Sequence, residues 1–327
     1  MWRESLALFE ELGELDSIET ARQRIARLLA RCEPSEDHTG TVNACVVTAD
    51  GRRVVSASDD GTMKIWDLES GRARATLAGH PNGVRACAVT VDGRHVVSAS
   101  SDRTLKVWDL ESGRALATLE GHTDGVRVCA VTADGRRVVS ASDDRTLKVW
   151  DLENGRALAT LGGHTDWVRA CAVAADGWRV ISASEDRTLK IWDLESGRVL
   201  ATLEGHTGGV SACAVTVDGR RVVSASEDGT LKIWELESGR VLATLEGHTG
   251  GVSACAMTVD GRRVVSASED RTLKVWDLAT HTCLFTHRGD VAYTAVTAAE
   301  ISIVAGDATG ALWFVDWPGD NAPDPLG

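Results

Sequence analysis

Proline is scarce in this sequence, at 5 residues in 327, while hydrophobic types make up 43%. That balance excludes a disordered chain and leaves enough apolar mass for one large domain or two ordinary ones. Tyrosine occurs once, and the 32 glycines follow no three-residue period, which excludes a collagen helix. No stretch reaches about 18 consecutive apolar residues, so no membrane-spanning helix is expected. The opening MWRESLALFEEL has neither the basic start nor the apolar core of a secretory signal, and the reducing cytoplasm is the expected compartment. Basic residues are in deficit: 35 lysines and arginines stand against 48 aspartates and glutamates, for a net charge of -13. This disfavours a general nucleic-acid coat or an anionic membrane surface, so neither nucleic acid nor membrane is expected as partner. No glycine-rich phosphate cradle between a strand and a helix occurs, and no cofactor is expected.

The eight cysteines suggest a disulfide framework until their positions are compared. Cys45, Cys87, Cys129, Cys171, Cys213 and Cys255 lie 42 residues apart, with only Cys32 and Cys283 outside the series. The same interval separates Gly-His pairs ending at His80, His122, His164, His206 and His248, with Asp37-His38 as a variant. It also separates Trp-Asp pairs beginning at Trp66, Trp108, Trp150, Trp192 and Trp276, with Trp234-Glu235 as a variant. Six near-identical copies cover about three quarters of the chain, and the fold reduces to that of one unit.

In the unit at residues 122–161, residues 126–132 form an apolar run of strand length. Asp134-Gly135 follows, a pair suited to the left-handed dihedrals of a two-residue hairpin turn. Further strands are expected at residues 137–142, 146–151 and 157–161, separated by the turns Asp143-Asp144-Arg145 and Glu153-Asn154-Gly155. Such a four-stranded meander is apolar on both faces and unstable alone. Copies arranged about a common axis bury each face against a neighbour.

With these dipeptide pairs repeated at constant period, residues 38 to about 317 resemble the WD40-repeat β-propellers, and the uniformity of the copies is similar to the highly repetitive bacterial members. The resemblance implies an all-β, seven-bladed propeller over residues 36–317, built from six regular repeats and one degenerate one. Aligning Val291 with Val252 puts His287, Ala305, Thr309 and Val315 on the His, Ser, Asp and Trp positions of the seventh unit. The resemblance further implies a hydrogen-bonded tetrad in each regular blade. These are His38, Ser56, Asp60 and Trp66; His80, Ser98, Asp102 and Trp108; His122, Ser140, Asp144 and Trp150. In the second half they are His164, Ser182, Asp186 and Trp192; His206, Ser224, Asp228 and Trp234; His248, Ser266, Asp270 and Trp276. In such a chain the carboxylate accepts from one imidazole nitrogen, the other nitrogen accepts from the hydroxyl, and the hydroxyl oxygen accepts the indole N–H. Ser142 points to the same face as Ser140, so the choice between them stays open.

Asp, His and Ser in bonding order also describe a nucleophilic triad. Repeated in six blades, each with its hydroxyl engaged by an indole, they read as structure, and no catalytic residue is expected. Cysteines spread one per blade cannot converge within the roughly 2.3 Å of a zinc–thiolate bond, so no metal site is expected and the thiols read as buried and inert. Lys64, Lys106, Lys148, Lys190, Lys232 and Lys274 are expected to lay their stems on the sheet with charged ends in solvent.

Information about function then lies where the copies differ. Arg85, Arg127 and Arg169 share one position in three consecutive blades, where the others carry Asn43, Ser211 and Ser253. Trp167 stands where other blades carry Gly or Thr, on loops that the resemblance places on the top face by the channel mouth. An arginine row beside an exposed tryptophan suits an acidic protein or peptide with an apolar anchor. The competing reading is a solvated row paired with neighbours such as Asp124, Asp166 and Glu185. Trp178 replaces the arginine found at positions such as Arg136 and is a candidate second contact on the opposite face. The expected function is a non-catalytic scaffold for protein binding. The alternatives are the sensor module of a bacterial signalling or defence system whose NTPase, protease or kinase effector is encoded elsewhere, and an enzyme with a channel-mouth site.

The ends differ in character. Residues 1–33 are expected to form a helical extension, with Trp2, Leu6, Phe9 and Leu12 on one stripe and Ile18, Ile25 and Leu28 or Leu29 on another. Asp16 can cap the second helix, with Glu19 as its capping-box partner, and the pair is a candidate docking element. Residues 28–33, LLARCE, are also the candidate closing strand of the seventh blade, and both readings cannot hold for the same residues. Residues 318–327 are expected to be a flexible tail.

Overall fold

The computed structural model describes residues 38–298 and 302–316. The expected helical extension, closing strand and tail lie outside the described residues. Each repeat folds into an antiparallel sheet whose strands follow one another in sequence order. In the third blade the strands are Val126–Val131, Arg137–Ser142, Thr146–Asp151 and Ala157–Gly162. Six sheets have four strands, and the seventh has three among the described residues: Tyr293–Ala298, Ser302–Asp307 and Leu312–Asp316. Each innermost strand packs on the next, and Val42–Val47 of the first blade packs on Tyr293–Ala298 of the seventh, which closes the ring. The fold is an all-β propeller of seven blades.

Strand pleating sends alternate side chains to opposite neighbours. Val139, Ala141, Leu147, Val149 and Leu161 of blade 3 pack against Val168, Cys171, Val180, Trp192 and Leu194 of blade 4. Val138 and Trp150 of the same blade face the other way, onto Val97, Ala99 and Leu105 of blade 2. Each fully buried side chain of this size contributes about 1.5–3 kcal/mol, and only while the neighbouring blade is in place. The lysine heads are not left in solvent alone, because Lys106, Lys148, Lys190, Lys232 and Lys274 donate to threonines of the outer strands at 2.8–3.0 Å.

The cysteines mark the inter-blade seams. Cys129 Sγ donates to the Val97 carbonyl at 3.4 Å and Cys171 Sγ to that of Val139 at 3.7 Å, each reaching back one blade. Cys45 reaches Val304 at 3.5 Å across the closure. Burial pushes the Cys45 and Cys255 thiols up to about 12, and those of Cys87, Cys129, Cys171 and Cys213 also rise. With no thiolate available at neutral pH, alkylation of the folded protein followed by peptide mass mapping is expected to modify exposed Cys283 and to spare the six seam cysteines until denaturant is added. Modification of a seam cysteine as fast as Cys283 would contradict the packing.

Two local expectations change. Asp134-Gly135 does not make a two-residue turn: residues 132–136 separate the strands, and only Gly135 is left-handed, at φ 69°. Thr132 causes this, since its N–H bonds the Arg137 carbonyl at 3.0 Å and its hydroxyl bonds Asp134 at 2.6 Å, widening the loop. In the seventh blade, Tyr293 pairs with Asp307 as Val252 pairs with Ser268, so Tyr293, not Val291, begins the strand. His287 accordingly lies in the outer strand of blade 6, opposite Leu273, where other blades place a buried leucine. Ala305 and Val315 do sit at the Ser and Trp positions, opposite Trp313 and Ile303.

The turn between second and third strands is left-handed in every blade. Gly61, Gly229 and Gly310 serve in blades 1, 5 and 7, but Arg103, Arg145, Arg187 and Arg271 adopt φ 74°, 68°, 71° and 68° in the others. A side chain there costs roughly 1–2 kcal/mol, partly offset in a comparison with glycine by glycine's greater freedom when unfolded. Arg145→Gly is therefore expected to leave stability in urea unchanged or raised by up to about 1 kcal/mol, and Arg145→Val to lower it by a similar amount. A clear loss on glycine substitution would show that the arginine side chain supports the fold.

Candidate functional site: the top rim

Connections after the second and fourth strands meet on one face of the ring, where Asp143 N–H bonds the Gly125 carbonyl at 3.0 Å. Beneath this top face each regular blade is pinned by four side chains. In blade 3, His122 Nδ1 lies 2.7 Å from Asp144 Oδ2 and Nε2 lies 2.7 Å from Ser140 Oγ, which accepts the Trp150 indole N–H at 2.8 Å. The same chain runs through His38, Ser56, Asp60 and Trp66 and through His80, Ser98, Asp102 and Trp108. It recurs in His164, Ser182, Asp186 and Trp192, in His206, Ser224, Asp228 and Trp234, and in His248, Ser266, Asp270 and Trp276. Ser142 ties two loops together instead, its hydroxyl donating to the Asp124 carbonyl and accepting Asp144 N–H, both at 3.1 Å. The seventh blade substitutes another device, in which buried Asp307 accepts the Trp313 indole N–H at 2.7 Å and two bonds from Thr309.

On the rim above the tetrads, the arginine row is already paired. Arg85 bridges Asp59 of blade 1 at 2.9 Å and Ser101 of its own blade at 2.8 Å. Arg127 holds Asp143 at 2.7 Å, and Arg169 pairs with Glu185 while facing Glu227 at 4.0 Å. Of the expected neighbours Glu185 is the one that pairs, while Asp124 and Asp166 accept N–H groups of their own loops, from Gly125 at 2.7 Å and Trp167 at 2.8 Å. Trp167 sits between two guanidiniums, those of Arg127 and Arg169, at 5.4 and 5.6 Å from its ring, and remains 43% exposed. Blades 5 and 6 carry Ser211 and Ser253 in place of arginine. There burial and the neighbouring Glu185 and Glu269 carboxylates raise the Glu227 carboxyl above its usual range, against the pull of Arg169.

Trp178 is exposed on the opposite face, where its carbonyl accepts Leu194 N–H at 2.8 Å. The Arg179 guanidinium lies 5.0 Å from its ring, bonds Asp176 at 2.6 Å and reaches the Gly219 carbonyl of blade 5 at 3.3 Å. Trp167 and Trp178 thus do not share a surface. Among the described residues no cluster of metal-binding side chains occurs. Sequence reasoning passed over the left-handed arginines of the rim, whose signal was Asp-Arg-Thr in four repeats against Asp-Gly-Thr in two.

A family model described as WD domain, G-beta repeat matches residues 31–67, 71–109, 113–151, 155–193, 197–235 and 239–277. The chain belongs to the WD40-repeat family. Each WD40 match ends at a Trp-Asp or Trp-Glu pair, and the second to sixth begin before the outer strand of the preceding blade, so successive family repeats interlock across blades. A stretch of 43 residues is 51% identical to part of the probable E3 ubiquitin ligase complex SCF subunit sconB of Arthroderma otae, covering 13% of this chain and 6% of that protein. A match of one repeat's length concerns the cassette alone. WD40 propellers typically mediate protein–protein interaction and are usually non-catalytic.

The tetrads tie WD40 folding to pH. Their geometry suits a neutral imidazole with the proton on Nδ1, because the serine O–H donates to Nε2 and a second N–H would remove that acceptor. Burial holds the His38, His80, His206 and His248 imidazoles below their ordinary value, outweighing the aspartate carboxylates that pull upward. Burial likewise opposes ionisation of Asp60, Asp102 and Asp228, but hydrogen bonds from threonine and histidine outweigh it and leave these carboxyls low, Asp228 at about 2. The unfolded state then binds protons that the folded state refuses, first by histidine below about 6.5 and then by aspartate below about 3.9. Thermal midpoints at constant ionic strength are expected to drop between about pH 7 and pH 5 and again below about pH 4. A flat profile above pH 5 would contradict buried neutral imidazoles.

Proposed function

We propose that this propeller is a non-catalytic platform that docks a partner protein on the top rim of blades 2 to 4, with Trp167 as anchor. The supporting observation is the indole itself. It is 43% exposed, it stands where five other blades carry glycine or threonine, and it is flanked by two arginines whose own charges are engaged. A large aromatic side chain left in water forgoes burial worth about 1.5–3 kcal/mol, and a partner surface recovers it. The exposed arginines of the same rim favour an acidic partner with an apolar anchor, and a guanidinium-held aromatic ring is a ready-made contact point with little side-chain freedom to lose.

Trp167→Gly tests the reading, since glycine occupies the equivalent position in blades 2, 3, 5 and 6 and the fold is expected to persist. In quantitative affinity purification from the source cell, proteins retained by the native chain are expected to fall by about thirtyfold in affinity with the variant, the size of a hot-spot loss. Combining it with Arg85→Ser, Arg127→Ser and Arg169→Ser is expected to abolish capture. Unchanged capture by a folded variant would move the docking surface elsewhere, Trp178 being the next position to replace.

A further inference from the structure

Arg85, Arg127 and Arg169 are poor candidates for gripping an acidic ligand, because each has a carboxylate already in hand. A second arc lies on the same rim. Arg103, Arg145 and Arg187 project from the turns between second and third strands of blades 2, 3 and 4, adjoining the tetrad aspartates Asp102, Asp144 and Asp186. All three are exposed, and among the described residues their side chains form no ion pair or hydrogen bond. Glu120 and Glu204, opposite Thr104 and Thr188, come next to Arg103 and Arg187 without pairing with either. Each of the three also holds a left-handed backbone that Gly61, Gly229 and Gly310 supply without strain in other blades. Strain retained at an exposed, unpaired cation points to use of that cation outside the fold.

We infer that Arg103, Arg145 and Arg187 form the contact arc for an Asp/Glu-rich polypeptide segment laid across blades 2 to 4, while Arg127 and Arg169 hold Trp167 between them. The inference rests on the docking reading above and specifies its charge-reading residues. One guanidinium per blade offers one fork per carboxylate, which suits acidic side chains spread along an extended chain better than one phosphate needing several donors at a point. The surroundings limit the arc. Glu269 of blade 6 has a serine beside it where blades 2 to 4 carry arginine, and Glu227 of blade 5 reaches only Arg169, at 4.0 Å and already paired with Glu185, so both repel an acidic chain and it ends at blade 4. Arg271 of blade 6 has the same turn and φ but stands beside Glu269 with neither a row arginine nor a tryptophan, and lies outside the arc.

The test uses the full chain and a fluorescein-labelled peptide of aspartates and glutamates around one leucine, read by anisotropy at low salt. The triple variant Arg103→Gly, Arg145→Gly and Arg187→Gly removes the charges while relieving the backbone, so lost binding cannot be ascribed to unfolding. It is expected to weaken binding about tenfold or more, with a shallower salt dependence, whereas Arg271→Gly stays within about twofold of the native chain. Equal loss in both, or none in the triple variant, overturns the inference. So does tighter binding of a lysine-rich peptide, of single-stranded DNA or of a phosphoserine version that the triple variant binds equally well. If Trp167→Gly weakens peptide binding and the triple variant does not, the arc is wrong and the docking reading stands. If the peptide binds and neither substitution matters, both fall.

Discussion

In each regular blade one tryptophan indole is buried between blades while its N–H must find an acceptor, and the rest of the structure follows from how that is met. The ring supplies apolar contact to the preceding blade, as Trp150 does against Val97, Ala99 and Leu105. The N–H, which can only donate, is taken by a serine that has no exposure to water. That serine completes its bonding through histidine, and histidine through an aspartate at the surface turn. Packing between blades and the placing of the top loops are therefore one constraint, since an indole cannot be buried without fixing the two loops that carry His and Asp.

The seventh blade meets only the donor half of the constraint, with other residues and an indole that is 38% exposed. It has no tryptophan at the usual place, where Val315 stands, and no serine, where Ala305 stands. Its indole comes from Trp313, opposite Ala305 where other blades have lysine, and its acceptor is Asp307, opposite Tyr293. Tyr293 fills space between His287 and Trp313, with ring centroids 6.2 and 6.5 Å away. Gly289 is required beside it, because a Cβ there would lie 2.5 Å from the tyrosine oxygen. A different set of side chains thus solves the same donor problem at the point where the ring closes.

This division explains what could be read in advance. The period, the strands and the tetrad partners are repeated six times, so one unit identifies them, and only spatial contact was needed to separate Ser140 from Ser142. Glu185 was legible as an arginine partner, whereas Asp143 was passed over for Asp124, which is nearer in sequence, because it arrives from a turn 16 residues after Arg127. Register in the seventh blade slipped because three residues, not five, join its first two strands, and an alignment matched to the later strands places the first one two residues early. The wide turn at Thr132 was missed because its cause is a side chain competing for backbone bonds, which dipeptide preferences do not contain.

A ring of equal blades has no preferred place to bind anything, so selectivity must come from departures from symmetry. On the top face of this chain they occupy rim positions that the buried tetrads hold in place but do not depend on. Arg127 and Arg169 alter nothing beneath them, since His122, Asp144, His164 and Asp186 keep the same 2.6–2.7 Å contacts as blades with serine there, to within 0.3 Å. Distant, unshared contacts contribute nearly additively, so charge on the rim can change blade by blade without reopening the problem of folding. What limits that freedom is local: a left-handed turn tolerates a side chain only at a small cost, and a row of arginines needs carboxylates beside it. Blades 2 to 4 meet both conditions, and they are also where the single exposed rim tryptophan stands.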